Sequence, residues 1–72
     1  MKSNSEIRLE ETKENAELFI EQMKLMPDAK LSKHLDLFRQ QMEKAYQQGN
    51  DTAFELLSEY EKQTIIARAN KD

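Results

Sequence analysis

The stretch AYQQGNDTAFELLSEYEK, residues 45–62, contains the only glycine of the chain and the clearest signal for a change of direction. Gly49 suits the left-handed position just past a helix end, and Asn50 or Asp51 suits the N-cap of a following helix. A calcium loop would need oxygen ligands at alternating positions, and a phosphate loop would need more glycines and a lysine. The stretch therefore predicts a turn between two helices rather than a ligand-binding loop.

Apolar residues recur at helical spacing on both sides of this turn, and they divide the chain into three predicted helices. Upstream, Pro27 disfavours helical backbone at Met26, so the first helix is expected to end there. The connection at Gly49 is so short that the last two helices are expected to be antiparallel neighbours. The predicted helices are 5–26, 29–48 and 51–69.

The composition favours helices throughout. The 72 residues include one glycine and one proline, and good helix formers such as Glu, Lys, Gln, Leu, Ala and Met dominate. The length suffices for a single small domain over 1–72, whose core alone supplies no more than about 3–5 kcal/mol. We therefore expect an all-α fold, either a three-helix bundle or a helical hairpin with an N-terminal helix packed on it, that forms a dimer.

The charge and cysteine content argue against several classes of protein. Cysteine is absent, so disulfides, zinc fingers and thiol catalysis are excluded. The net charge is −3 and the basic residues form no cluster, so binding to nucleic acid is not expected. The chain shows neither a signal peptide nor an apolar run long enough to span a membrane. We expect a cytoplasmic protein that does not bind membranes.

The sequence contains no recognisable catalytic constellation. His34 is the only histidine, and Phe38 occupies the position four residues later where a second metal ligand could stand. No local signature pairs a serine nucleophile with a base. We predict that the protein is not an enzyme and has no catalytic residues, metal, cofactor or small-molecule substrate.

An acidic stripe lies along the first predicted helix, formed by Glu10, Glu14, Glu17 and Glu21. It is typical of a solvated helix face, and it could also be a docking surface for a basic partner. Met23 and Met42, like other methionines, could either fill an irregular core or contribute to an adaptable binding surface. Both alternatives stay open on the sequence alone.

More residues are apolar than one face of each helix can bury in a monomer. The surplus consists of Leu18, Leu37, Leu56 and Ile66. The predicted core or dimer seam comprises Phe19, Met23, Phe38, Phe54, Leu57 and Tyr60. The candidates for an outer contact are Leu37, Leu56 and Ile66. This surplus predicts association with a protein partner or with a second copy.

The stretch MEKAYQQGNDTAFELLSEY, residues 42–60, resembles the IDEAL domain, a short helical module found in small proteins of Gram-positive bacteria. The resemblance rests on Met42, Glu43 and Ala45 before the turn, Gly49 and Asn50 at the turn, and Ala53, Phe54, Leu57 and Ser58 after it. It covers about a quarter of the chain. It implies an interaction module without an assigned enzyme activity.

Two functions follow as hypotheses. The favoured one is a small cytoplasmic helical module that binds another protein or forms a homodimer, and that has no catalytic activity. The alternative is a nucleic-acid-associated regulator of the helix-turn-helix type, built from the last two helices. In that case Glu55, Glu59 and Glu61 of the recognition helix would face phosphates, which is unfavourable.

Overall fold

The fold is all-α, as predicted, in a computed structural model that describes residues 2–71. No strand occurs within that range. The four helices are α1 (Asn4–Glu14), α2 (Ala16–Lys24), α3 (Asp28–Gln47) and α4 (Asp51–Ala69). Helices α3 and α4 correspond to the second and third predicted helices.

The first predicted helix, 5–26, is interrupted at Asn15, which corrects the expectation of a continuous helix. The backbone of Asn15 has φ −104° and ψ 22°, outside the helical values. Its side-chain Nδ2 and its backbone N–H both donate to the Glu11 carbonyl at 2.9 Å. Asparagine favours such local bonds because its short amide competes with the helical pattern. The chain therefore turns a corner between α1 and α2.

The turn at Gly49 is confirmed, and its hydrogen bonds form a Schellman motif. The Asn50 N–H donates to the Ala45 carbonyl at 2.9 Å, and the Gly49 N–H donates to the Tyr46 carbonyl at 3.1 Å. Gly49 has φ 70°, the left-handed conformation that this motif requires. Asn50 then caps α4, because its Oδ1 accepts from the Ala53 N–H at 3.2 Å.

Replacement of Gly49 by alanine should destabilise the protein by about 1–2 kcal/mol, the cost of placing a Cβ in left-handed backbone. Beyond its own residue and its two chain neighbours, a Cβ at this position would meet no atom within 4 Å, so the cost comes from the local backbone conformation and not from tertiary packing. Gly49→Asn is the matched control and should cost less, because asparagine tolerates this conformation. Urea unfolding of both variants measures the difference. Equal losses for both variants would contradict the conformational explanation.

Helix α4 is the centre of the fold, because α1, α2 and α3 each pack against it while α1 and α2 hardly contact α3. Helices α3 and α4 are antiparallel along their length. Three opposed pairs mark the register: Asp28 with Lys71, Arg39 with Glu61, and Tyr46 with Phe54. The Cα atoms span 40 × 24 × 13 Å, so the helices form a thin layer.

The core between these helices is small. Its buried apolar residues within 2–71 are Leu31, Leu35, Ala45, Leu56 and Ala67. Leu56 is only 7% exposed, so its predicted place in an outer contact is wrong. It lies on the face of α4 that packs against the neighbouring helices. The sequence alone could not show whether α4 has two apolar faces, one of them exposed, or a single wide apolar face that is buried.

Candidate interaction cleft

The corner at Asn15 opens a cleft between α1 and α2, and α4 forms its floor. We call it the corner cleft. Its volume is about 420 Å³, within the range of small-molecule and side-chain sites, about 300–1,000 Å³. The lining residues are Arg8, Glu11 and Thr12 of α1, Phe19, Gln22 and Met23 of α2, and Tyr60 and Gln63 of α4.

Aromatic side chains extend from the corner cleft towards α3. The rings of Tyr60 and Phe38 are stacked, with centroids 5.6 Å apart and planes 28° apart. His34 meets Phe38 edge-on at 6.0 Å, a favourable arrangement for two rings. Phe19, Met23, Phe38 and Tyr60 are all half-buried. The structure therefore brings four of the predicted seam residues to one region, where each keeps some exposed surface.

Gln63 forms the polar part of the floor and is only 1% exposed. Its Nε2 donates to the Thr12 carbonyl at 3.0 Å and to the Glu59 Oε1 at 3.2 Å. Thr12 lies in the last turn of α1, where carbonyls lose their helical partners. Gln63 therefore holds the end of α1 against α4. Its own Oε1 has no hydrogen-bond partner within residues 2–71.

A buried hydroxyl supports the floor beside Gln63. The Oγ1 of Thr64 donates to the Tyr60 carbonyl at 2.7 Å and lies 3.3 Å from the Met23 sulfur. Gln63 and Thr64 were not among the predicted site residues, because both are polar. Their spacing could have indicated that they are buried, because Gln63 and Thr64 lie on the same helical face as Tyr60 and Ala67. Tyr60 is half-buried and Ala67 is buried.

The other predicted interface residues lie outside the corner cleft. Phe54 pairs with Tyr46 at 6.4 Å near the Gly49 turn. Leu37 is 49% exposed on α3. Leu57 and Ile66 are half-buried on α4. The structure therefore does not gather the whole predicted set into one surface.

The charges near the corner cleft balance, and the acidic stripe is divided. Arg8 and Glu11 both line the cleft, so its lining carries no net charge. The corner at Asn15 places Glu10 and Glu14 on one helix and Glu17 and Glu21 on the next. Lys2 donates to the Glu10 carboxylate, and this hydrogen bond raises the pKa of the Lys2 amine. The stripe is thus not one continuous acidic face.

Helices α3 and α4 differ from a helix-turn-helix reader. In that motif the two helices cross at about 90–120°, whereas α3 and α4 lie antiparallel along their length. Glu61 is engaged by the Arg39 guanidinium at 3.1 Å. This geometry does not favour the nucleic-acid alternative.

Within residues 2–71, the metal-ligating side chains form no group of three or more that could hold an ion. None of the four helices combines the length and the apolar character needed to cross a bilayer.

Comparison with known proteins adds no relative: no family model, no curated protein and no solved structure matches the chain. The resemblance of residues 42–60 to the IDEAL domain stays a prediction. The corner cleft is the feature on which a functional interpretation can rest.

Proposed function

We propose that this chain is a small helical module that acts by binding a protein, either a partner or a second copy, and that it has no catalytic activity. The corner cleft is the observation that carries the proposal. The proposal includes a cytoplasmic location. It also includes the packing of a partner helix, or of a second copy in a homodimer, against the thin layer of helices. Amphipathic helices commonly bind in clefts of this kind.

The surface area of the monomer supports association. The accessible surface is 5372 Å², whereas the size scaling for compact monomers gives about 4,700 Å² at 8.5 kDa. The excess is about 700 Å², close to the share of about 800 Å² that one partner contributes to a standard interface. A second chain packed on this layer would cover an area of this size.

The residues of the corner cleft are suited to anchor such a contact. Phe19, Met23 and Tyr60 present apolar surface that is half-buried and held by the helices on either side. Aromatic side chains seated in well-packed pockets carry much of the energy of protein interfaces. Methionine beside them adapts to different partners.

The substitution Phe19→Ser tests the proposal. We expect it to weaken partner binding at least about tenfold, since removing a central aromatic anchor commonly costs about 2 kcal/mol or more. Leu25→Ser is the matched control on the end of the same helix: Leu25 is 87% exposed and lies outside the corner cleft. Quantitative affinity capture compares the proteins retained by the parent chain and by the two variants.

Native mass across a dilution series, recorded for the same three proteins, reports self-association. Circular dichroism shows whether Phe19→Ser keeps its helices. A folded Phe19→Ser variant that retains the same proteins and the same mass as the parent chain would contradict a function through the corner cleft. Loss of binding in Leu25→Ser alone would place the interface elsewhere.

A further inference from the structure

We propose that a second copy of this chain packs on the corner cleft, related to the first by a twofold axis parallel to α4. The inference rests on the proposed function and deepens it, because it names the partner as the chain itself. In this arrangement α3 of each copy lies over the corner cleft of the other, as the symmetry requires. Three observations carry it: an aromatic face, unlike charges on the two edges of that face, and the area of the layer.

The face to be covered joins aromatic side chains from both sides of α4. Phe19 and Met23 line the corner cleft together with Tyr60, and Phe38 of α3 is stacked on Tyr60. We call these four half-buried residues the aromatic face. Phe38 and the corner cleft lie at the same level along α4 and on opposite sides of it. Rotation about an axis parallel to α4 therefore places Phe38 of each copy opposite the cleft of the other.

One edge of the aromatic face is basic. Four residues of α3 are spaced three, four and seven apart and therefore share one side of that helix: Lys30, Lys33, Leu37 and Lys44. Lys30 and Lys33 line one surface with His34, whose ring meets Phe38 edge-on. Within residues 2–71, none of the three lysines forms an ion pair. We call Lys30, Lys33 and Lys44 the lysine edge.

The acids of α3 do not neutralise the lysine edge. Asp28 pairs with Lys71 at 3.0 Å. Asp36 and Glu43 are three and four residues from Arg39, so they share the side of α3 that makes the ion pair with α4. The lysine edge therefore presents its positive charges to the surroundings of the monomer.

The opposite edge of the aromatic face is acidic. Helices α1 and α2 carry six acids against three bases. Glu11 lines the corner cleft, and Glu14 follows three residues later on the side of α1 that also exposes Ile7. Within residues 2–71, neither carboxylate forms an ion pair. We call Glu11 and Glu14 the acidic edge.

These unlike edges select the orientation of the second copy. An axis parallel to α4 brings the acidic edge of each copy to the lysine edge of the other, with the exposed Ile7 and Leu37 among them. An axis across α4 would bring like edges together, which is unfavourable. Within one chain the like charges of each edge repel along their helix. Opposite charges supplied by a second copy remove that repulsion at both edges.

The area of the layer is sufficient for a stable dimer. Its Cα atoms extend 40 × 24 Å in the plane of the helices. A standard interface takes about 800 Å² from each chain. The monomer exposes about 700 Å² more than the size scaling gives for a compact chain of its mass. One face of the layer can therefore supply the interface.

Exchange of the charges tests the arrangement. The first double variant is Glu11→Lys with Glu14→Lys, and the second is Lys33→Glu with Lys44→Glu. Each variant alone would oppose like charges at both edges, so we expect its self-association to weaken at least about tenfold relative to the parent chain. An equimolar mixture should restore dimers, because every edge then meets its opposite. Sedimentation equilibrium across a dilution series measures the association.

Native mass with one variant labelled with heavy nitrogen identifies the mixed dimer. All four side chains are exposed, so both variants should keep their helices, which circular dichroism checks. If a double variant does not fold, the single substitutions Glu14→Lys and Lys33→Glu serve in the same design. A parent dimer that both variants retain, or a mixture that stays monomeric, would overturn the pairing of the edges.

Contacts between the two copies report the orientation independently of charge. In a dimer of labelled and unlabelled parent chains, isotope-filtered NMR should place the ring of Phe38 near Phe19 and Met23 of the other copy. Contacts between the two Phe38 rings would indicate an axis across α4 and overturn the proposal.

Failure of the dimer and failure of the proposed function have different signs. A parent chain that is monomeric at every concentration would overturn the second copy as the occupant. If Phe19→Ser nevertheless loses captured proteins, the corner cleft binds a different protein and the proposed function stands. If Phe19→Ser changes neither the captured proteins nor the mass, both proposals fail.

Discussion

Replacement of Leu31 by alanine should leave most of the protein unfolded at room temperature. Leu31 is 0% exposed and belongs to a small apolar core. Buried Leu→Ala substitutions cost about 2–5 kcal/mol. A core alone in a domain of this size supplies no more than about 3–5 kcal/mol. The loss is therefore comparable with the whole stability of the monomer.

Thermal unfolding followed by circular dichroism measures this effect. Leu25→Ala is the matched control, because the same atoms are removed from a side chain that is almost fully exposed. It should change stability by no more than about 0.5 kcal/mol. A Leu31→Ala variant that melts cooperatively near the parent temperature would show that the core between α3 and α4 contributes less than its burial indicates. The measurement is made on the protein without a bound partner, because a partner that binds the folded state would raise the stability of both variants.

Replacement of Gln63 by glutamate should destabilise the fold by about 3–5 kcal/mol at neutral pH, the cost of an uncompensated buried charge. The new carboxylate would face the Thr12 carbonyl and the Glu59 carboxylate, where the amide Nε2 now donates. Gln63→Leu removes the same hydrogen bonds without adding charge. It should cost less, about 1–3 kcal/mol, because the buried Thr12 carbonyl loses its donor.

The loss in Gln63→Glu should depend on pH. Burial and the nearby Glu59 raise the pKa of the introduced carboxyl in the folded state above its unfolded value of about 4.3. The unfolded state then releases its proton more readily, so stability relative to the parent chain falls as pH rises above about 4. Gln22→Glu is the control, since Gln22 lines the corner cleft but is exposed. Urea unfolding at pH 4 and pH 7 should show a pH-dependent difference for Gln63→Glu and little for Gln22→Glu.

The sequence by itself determined the helical class and the turn at Gly49. Both depend on local chemistry: few residues disfavour helix, one glycine can adopt φ 70°, and Asn50 can cap the next helix. Each of these preferences acts over four or five neighbouring residues, so both features can be predicted from the sequence alone. The antiparallel arrangement of α3 and α4 followed from the shortness of the same turn.

Only the tertiary structure decided where the chain bends first and what the bend creates. The residues that flank Asn15 in the sequence favour a helix, so its neighbours gave no sign of a turn there. The turn is held in place because Gln63, far along the chain, bonds to the end of α1. The same contact buries a polar residue in the floor of the corner cleft, and packing on α4 places Leu56 inside the fold instead of on its surface. The helical spacing of residues 60, 63, 64 and 67 indicates which face of α4 is buried, but it does not indicate that Gln63 bonds to Thr12, fifty-one residues away. That contact depends on how the finished helices pack and not on local preference.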